Sequence, residues 1–485
     1  MSSNSSLNSR SYEGPWDVVV VGHGAAGISA AMSYLESVPA GANARVAVLD
    51  RASEDKRGGS TAWTTAGLRI DDDSQLDPGW AKLVRETSGH LVNEEYIDAF
   101  YENAIDTLNW IGRHGVKTIS IPSPVPNGFG KRAWFIEGGG RAVIDTLTPK
   151  VTDCGATIFY ETTARDLVTD ASGTVTGLVV LDSDGNLHTM ITAAVLLACG
   201  GFEANPEMLS RYIPNAHRLK PVSPGTMVNK GDGIRMAVAV GADTAGQFDR
   251  AHLEPVDPRS DNWEALISAY LAGILVNELG ERFLDETQWP HDIGFDVVAN
   301  EIHLQPGGRA YAITDAAGRE GASTICAFNL TEHPPIRADS IEELADKLGI
   351  NQAALTTTVA RFNDATTEGT IDTTRYDNKA TVGLQPPKTH WAQPLLTPPF
   401  EAYPVVAHIC FTFGGLRVDG QTRVLNTDGL PIPGLFAAGE ITGVFYDVYP
   451  SGTSVLRSLT FGRIAGEVLA RATSAAAIVE EASIS

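Results

Sequence analysis

Several features that mark common function classes are scarce or missing in this 485-residue sequence. The four cysteines, Cys154, Cys199, Cys326 and Cys410, stand singly with no Cys-x-x-Cys pair, which excludes a zinc ribbon, an attached haem or a redox dithiol. They read as small core residues of a reducing compartment, and no metal site is expected. Basic residues are also few: 36 Lys and Arg against 59 Asp and Glu leave a net charge of −23, and no basic cluster is longer than a pair. Nucleic acid and anionic membrane surfaces would repel such a chain. No run of about 18 apolar residues occurs, which argues against a membrane span. Residues 1–16 form a polar Ser/Asn-rich leader, expected to be disordered, with no apolar core for a signal peptide. A soluble, cytoplasmic protein is the resulting expectation.

What is abundant is glycine, 48 residues in all, in a chain long enough for two or three domains. The apolar run Asp17 to Val21 reads as a strand buried on both faces, and Gly22-His23-Gly24-Ala25-Ala26-Gly27 follows it at once. Ile28, Ala31, Met32 and Leu35 then recur at helical spacing through Ser37, and Arg45 to Leu49 forms a second strand ending in Asp50. In such a βαβ unit Gly22 permits the tight turn, Gly24 lets a pyrophosphate approach and Gly27 lets the helix pack closely. Asp50 can accept from a ribose 2′-hydroxyl, which disfavours NADP. His23, inside the loop, is expected to point away.

Further on, Ala156 to Tyr160, Ala164 to Val168, Val175 to Leu181 and His188 to Ile191 alternate around turns as a meander. Ala193 to Cys199 then reads as another buried strand. Between 250 and 395 the chain changes character, with prolines, tryptophans and two helices near Ile341 to Leu348 and Gln352 to Phe362. Apolar strands resume after Pro399 and lead to a last helix from Ser454 to about Ala472.

Arg57-Gly58-Gly59-Ser60-Thr61, Thr65-Ala66-Gly67, Ala198-Cys199-Gly200-Gly201-Phe202, Gly231-Asp232-Gly233 and Gly434 to Glu440 occur together here. With them the sequence resembles flavoproteins of the fumarate reductase and succinate dehydrogenase family over nearly its whole length. The resemblance implies an α/β fold. A discontinuous Rossmann-type FAD-binding domain (17–249 and 396–485) would be interrupted by an α+β capping domain (250–395). The implied FAD contacts begin with Gly22, Gly24, Ala25, Ala26 and Gly27, then Asp50 and Arg51 at the second strand. Gly59, Ser60 and Thr61 would reach the pyrophosphate and flavin, followed by Thr65, Ala66 and Gly67. Ala164 would touch the adenine, Gly200 and Asp232 lie in their own motifs, and Gly439 and Glu440 would hold the ribityl chain. Ser454 and Val455 would set a helix N-terminus against flavin O2, stabilising the reduced anion. No histidine lies between Arg57 and Gly67, so noncovalent FAD is expected. No second dinucleotide fingerprint appears, so electrons are expected to pass to an external acceptor.

The segment Gly280 to Glu286 with Gln305 to Ile313 resembles the cap of tricarballylate dehydrogenase-like members. Tyr449-Pro450-Ser451-Gly452-Thr453 and Phe461 to Gly466 are similar to those and to 3-ketosteroid dehydrogenases. The chain departs from fumarate reductases in carrying Tyr449 for a substrate-clamping arginine and Phe411 for a histidine before Thr412-Phe413-Gly414-Gly415. The acid-supplying arginine is absent, and His291 is the nearest ionisable group. The resemblance therefore implies desaturation of a small or cyclic ketone or keto acid. Tyr449 and the Thr453 amide would polarise the carbonyl and His291 would take the α-proton. Tyr446 and Trp134 are further candidates for the pocket wall, and Arg282 with Glu286 for a pair that holds the cap. Two alternatives stay open. A polycarboxylate substrate would need Arg457 or Arg69 to point into the pocket, and a noncatalytic flavin redox sensor would need no substrate at all.

Overall fold

The computed structural model describes residues 12–484 except 40, 124, 127, 129 and 322–328; residues 1–11 of the leader, and Cys326, lie outside the described residues. The rest of the leader is ordered. Tyr12 is buried and stacks on Phe159 and His188, and the first strand already begins at Pro15. The apolar character of Tyr12 and Trp16 outweighs the polar composition around them.

Pro15–Val21 is the middle of a parallel sheet, with Val46–Leu49 on one side and Leu187–Leu197 on the other. Its Val18, Val19 and Val20 are buried, as a central strand covered on both faces requires. Thr157–Phe159 extends one edge and Pro431–Ala437 the other, beyond which Arg423–Leu425 runs antiparallel. The two strands expected at His188–Ile191 and Ala193–Cys199 are one continuous strand. Its first part pairs antiparallel with Val175–Leu181 and its second part pairs parallel with Pro15–Val21. Between the two parts the Thr192 hydroxyl donates to the Ala194 carbonyl at 2.9 Å and accepts from its N–H at 3.3 Å.

A second sheet, antiparallel except for the short strand Lys220–Pro221, has Phe400–Thr412 as its spine. Ala251–Val256, Arg309–Thr314 and Ile336–Ala338 pair along it, and Ile274–Asn277 adds to Arg309–Thr314. The segment from 250 to 395 thus contributes most of this sheet. Helix His291–Leu304 packs on it. Helix Ile341–Leu348 starts at Ser340, whose side chain accepts from the Glu343 N–H, and ends at Gly349 in the left-handed conformation. Arg282 and Glu286 do pair, through contacts of 2.9 and 2.6 Å, and Arg282 also donates to the carbonyls of Pro386 and Pro387.

The last helix, Ser454–Ile484, is longer than expected and lies against the first, Ala25–Ser37. A Cβ on Gly462 would sit 2.3 Å from the Ala26 carbonyl oxygen, and one on Gly466 would sit 2.5 Å from that of Ala30. Four residues apart, both glycines face the same partner and let the two backbones touch. Ser33 Oγ bonds the Arg463 carbonyl at 2.8 Å, and Tyr34 Oη meets Thr473 Oγ1 at 3.0 Å, which fixes the register. Among the described residues no helix is long and apolar enough to cross a membrane. Cys199 and Cys410 are half-buried free thiols, whereas Cys154 is exposed because it closes a surface helix, so it is no core residue.

Gly466→Ala is expected to lower stability by about 1–3 kcal/mol, because the added methyl has no room without separating the helices. Denaturant unfolding of the flavin-loaded protein measures it.

Candidate functional site

One continuous cavity of about 500 Å³ runs from the first βαβ turn to the inner face of the second sheet. Every expected cofactor contact except Gly27 lines it. Gly27 sits behind the wall, where a Cβ would lie 1.9 Å from the Gly22 carbonyl oxygen. Gly22 itself has φ +117°, and a Cβ there would meet the Ala198 carbonyl oxygen at 2.2 Å. Gly24 has nothing nearer than Thr61 Oγ1 at 3.4 Å, so its open side faces the cavity. No side chain caps helix Ala25–Ser37 at Gly24. Thr61 Oγ1 accepts from the Ala25 N–H at 3.0 Å and so ties the Gly59–Trp63 turn to that helix N-terminus. With Thr61 taking only the Ala25 N–H, the rest of the first turn stays open under a glycine with free space, which is what a pyrophosphate needs.

Asp50 closes the second strand and accepts from the N–H groups of Ala52 and Gly58 at 2.9 and 3.3 Å. Burial nevertheless pushes its carboxyl up to about 6. Arg51 pairs with Asp232 and donates to the Val228 carbonyl, joining this strand to helix Asp232–Ala239. The His23 ring is buried; it bonds Thr148 Oγ1 of helix Gly139–Asp153 at 3.1 Å and lies 3.8 Å from Asp50. Burial, with the Arg57 charge, lowers it to about 4, so it is neutral.

In the middle of the cavity Asn229 Nδ2 lies within reach of Ser60 Oγ, Glu203 and Glu440, at 3.1, 3.3 and 3.4 Å. Glu440 also accepts from the Thr412 N–H. Burial, together with repulsion from Glu440, drives Glu203 far above the usual carboxylate range, so it holds a proton and donates toward Glu440. Glu203 follows the Gly200-Gly201-Phe202 motif directly and was missed by the sequence reading.

At the far end, Tyr449 is buried among His252, Phe411 and Phe445, with ring centroids at 4.6, 4.9 and 5.2 Å. Its hydroxyl oxygen accepts from the N–H groups of Thr453 and Ser454 at 3.2 and 3.0 Å. The Thr453 amide, expected to bind substrate, is therefore spent on Tyr449, and Thr453 itself is fully buried outside the cavity wall. His291 does line the cavity as the first residue of helix His291–Leu304. Burial lowers it to about 4, so the expected titration near neutrality does not apply there. Trp134 lines the cavity as well, whereas Tyr446 does not and instead accepts from the Gly246 N–H.

His252 is the group that sequence reasoning overlooked. Its Nδ1 lies 2.8 Å from Asp296 Oδ1, and the same oxygen accepts from the Leu253 N–H at 3.0 Å. The other Asp296 oxygen accepts from the Tyr449 N–H at 3.3 Å. Helix His291–Leu304 thereby locks both His252 and Tyr449. The readable signal was Ala251-His252-Leu253-Glu254, which puts His252 and Glu254 on one face of a strand.

The two arginines that a polycarboxylate would need are committed. Arg69 donates to Asp77 and Asp292 at 2.7 and 2.6 Å and does not line the cavity. Arg457 reaches the wall, but its Nη1 donates to Tyr96 Oη and Thr442 Oγ1, both at 2.9 Å.

The FAD binding domain family model matches residues 17–456. The chain belongs to that family. FAD is its cofactor, and the protein is an FAD-dependent oxidoreductase. It is 30% identical over 401 residues to the NADH:acrylate oxidoreductase of Vibrio harveyi, covering 79% of this chain and 38% of that protein. It is 32% identical over 359 residues to the 4-oxocyclohexanecarboxylate 2-dehydrogenase of Sinomonas cyclohexanicum, covering 68% and 61%. The chain thus spans less than two thirds of the length of both relatives. The fold matches a flavocytochrome c3 fumarate reductase with TM-score 0.73 at 24% identity, over 95% of this chain and 79% of that one. It also matches the 3-ketosteroid-Δ4-(5α)-dehydrogenase of Rhodococcus jostii RHA1 with TM-score 0.71 at 24% identity, over 96% and 99%. The flavoprotein family and the α/β fold with a capping region agree with the expectation.

On the expected role of Asp50, a ribose hydroxyl donates to its carboxylate and favours the charged form. Protons then compete with FAD. Affinity should be full above pH 6 and fall by up to about tenfold per unit as pH drops through 6. Asp50→Asn should bind FAD more weakly and flatten that pH dependence, as read by fluorescence titration of the apoprotein.

Proposed function

We propose that the protein desaturates a small or cyclic ketone or keto acid next to its carbonyl. The observation that carries this reading is the Tyr449 hydroxyl. Two backbone N–H groups at the start of the last helix occupy its lone pairs, which leaves its own O–H to donate toward a substrate oxygen. Those amides, and the positive end of the helix behind them, make the phenol a stronger donor as enolate charge develops. A neutral carbonyl suits this end of the cavity, since the candidate clamping arginines are turned to other partners.

His252 takes the α-proton. Its Nδ1–H donates to Asp296, which fixes the tautomer and leaves Nε2 as the acceptor. Asp296 also orients Tyr449 through the main chain, so one carboxylate sets the distance between proton acceptor and carbonyl donor. His291, held neutral by its burial, borders the same space as a weaker acceptor. FAD, held by the residues that line the rest of the cavity, supplies the hydride-accepting chemistry for the β-carbon. An external acceptor then removes the electrons. The similarity to a 4-oxocyclohexanecarboxylate 2-dehydrogenase supports a cyclic keto acid as the substrate.

Anaerobic mixing with 4-oxocyclohexanecarboxylate, a 3-ketosteroid and tricarballylate tests the reading. Flavin absorbance should bleach with a ketone; bleaching by tricarballylate alone would reject the ketone, and no bleaching by any of them would favour a redox sensor. Tyr449→Phe should keep its FAD and lose about 10²–10³-fold in turnover, in the range of a lost oxyanion donor.

A further inference from the structure

The wall behind His252 carries a second chemistry. His252 and Glu254 lie two residues apart on strand Ala251–Val256 and share a face. Opposite them the ladder slips: His252 pairs with Phe411 but Leu253 pairs with Ile409, so Cys410 is the extra residue of a β-bulge. A bulge re-aims the side chain it inserts. Here the ligand atoms of His252, Glu254 and Cys410 all come within 4.8 Å of one another, with His252 Nε2 at 3.9 Å from Glu254 Oε1. All three residues line the cavity.

We propose that His252, Glu254 and Cys410 bind one Zn²⁺ in a tetrahedral site whose fourth position opens to the substrate cavity, and that zinc thereby inhibits the enzyme. An imidazole nitrogen, a thiolate and a carboxylate suit zinc, and three protein ligands with one open position is its usual catalytic-type coordination. Mg²⁺ and Ca²⁺ are excluded by the ligand type, since both want an oxygen shell. The Asp296–His252 hydrogen bond holds the ring with Nε2 turned toward Glu254, the outer-shell arrangement that orients metal-binding histidines. One thiolate and one carboxylate balance the charge of the dication in a half-buried place, and the thiol proton leaves to solvent as the metal binds. Inhibition rests on the reading of His252 as proton acceptor; binding does not.

Cobalt is the probe, added to the FAD-loaded, chelator-treated enzyme. Tetrahedral Co²⁺ should give d–d bands to the red of oxidised-flavin absorption, rising with metal up to one equivalent per chain, and Zn²⁺ should erase them. Cys410→Ser and Asp296→Asn, both checked for full FAD content, should each lower metal affinity by about 10–100-fold or more. Cys154→Ser removes the exposed thiol and should change nothing. Absence of the bands, or bands that persist in Cys410→Ser or vanish in Cys154→Ser, would overturn the site. Bands with undiminished turnover would overturn inhibition and the role of His252 together, while leaving the site in place.

Discussion

The contact of the last helix with the first governs this molecule. Gly462 and Gly466 let Ser454–Ile484 lie backbone to backbone on Ala25–Ser37, and the positions of both helix N-termini follow from that single approach. One N-terminus opens on the phosphate loop at Gly24. The other presents the Thr453 and Ser454 amides, which capture Tyr449. The two ends of the cavity, built from opposite ends of the chain, are therefore in register because two side chains are missing from one helix face.

Around this frame the interior is unusually acidic for a region meant to hold an anionic cofactor. Asp50, Glu203, Glu254 and Glu440 all sit in or against the cavity, and burial raises every one of them above the usual carboxylate range. Glu203 holds a proton and donates toward Glu440 where two carboxylates would repel, whereas Asp50 and Glu440 accept hydrogen bonds from main-chain N–H groups. Arg51 and Arg69 offset charge at the edges, each paired to aspartate from a different part of the chain.

How much of this was legible differs from place to place. Gly22, Gly24 and Gly27 were readable because each answers a local steric demand between a strand and a helix adjacent in sequence. Tyr449 was readable from the motif around it, but its hydrogen bonds were not: the Thr453 amide turned out to serve the phenol rather than the substrate. Asp296 meets His252 across 44 residues through helix-on-sheet packing, and nothing local announces that pairing. Cys410 looked like a filler because a bulge, which depends on the register of two strands, decides where it points. His291 shows the opposite failure. Its residue type suggested titration near neutrality, and burial removed it.

The pairing of first and last helices also sets when the protein can become itself. During synthesis the opening strand and helix leave the ribosome long before Ser454–Ile484 exists, and Pro431–Ala437, which completes the parallel sheet, comes almost as late. The glycine-rich turn must wait, with an apolar helix face uncovered, through the making of the whole intervening region. Loading of FAD then waits for the synthesis of Ser454–Ile484, not merely for that of the phosphate loop.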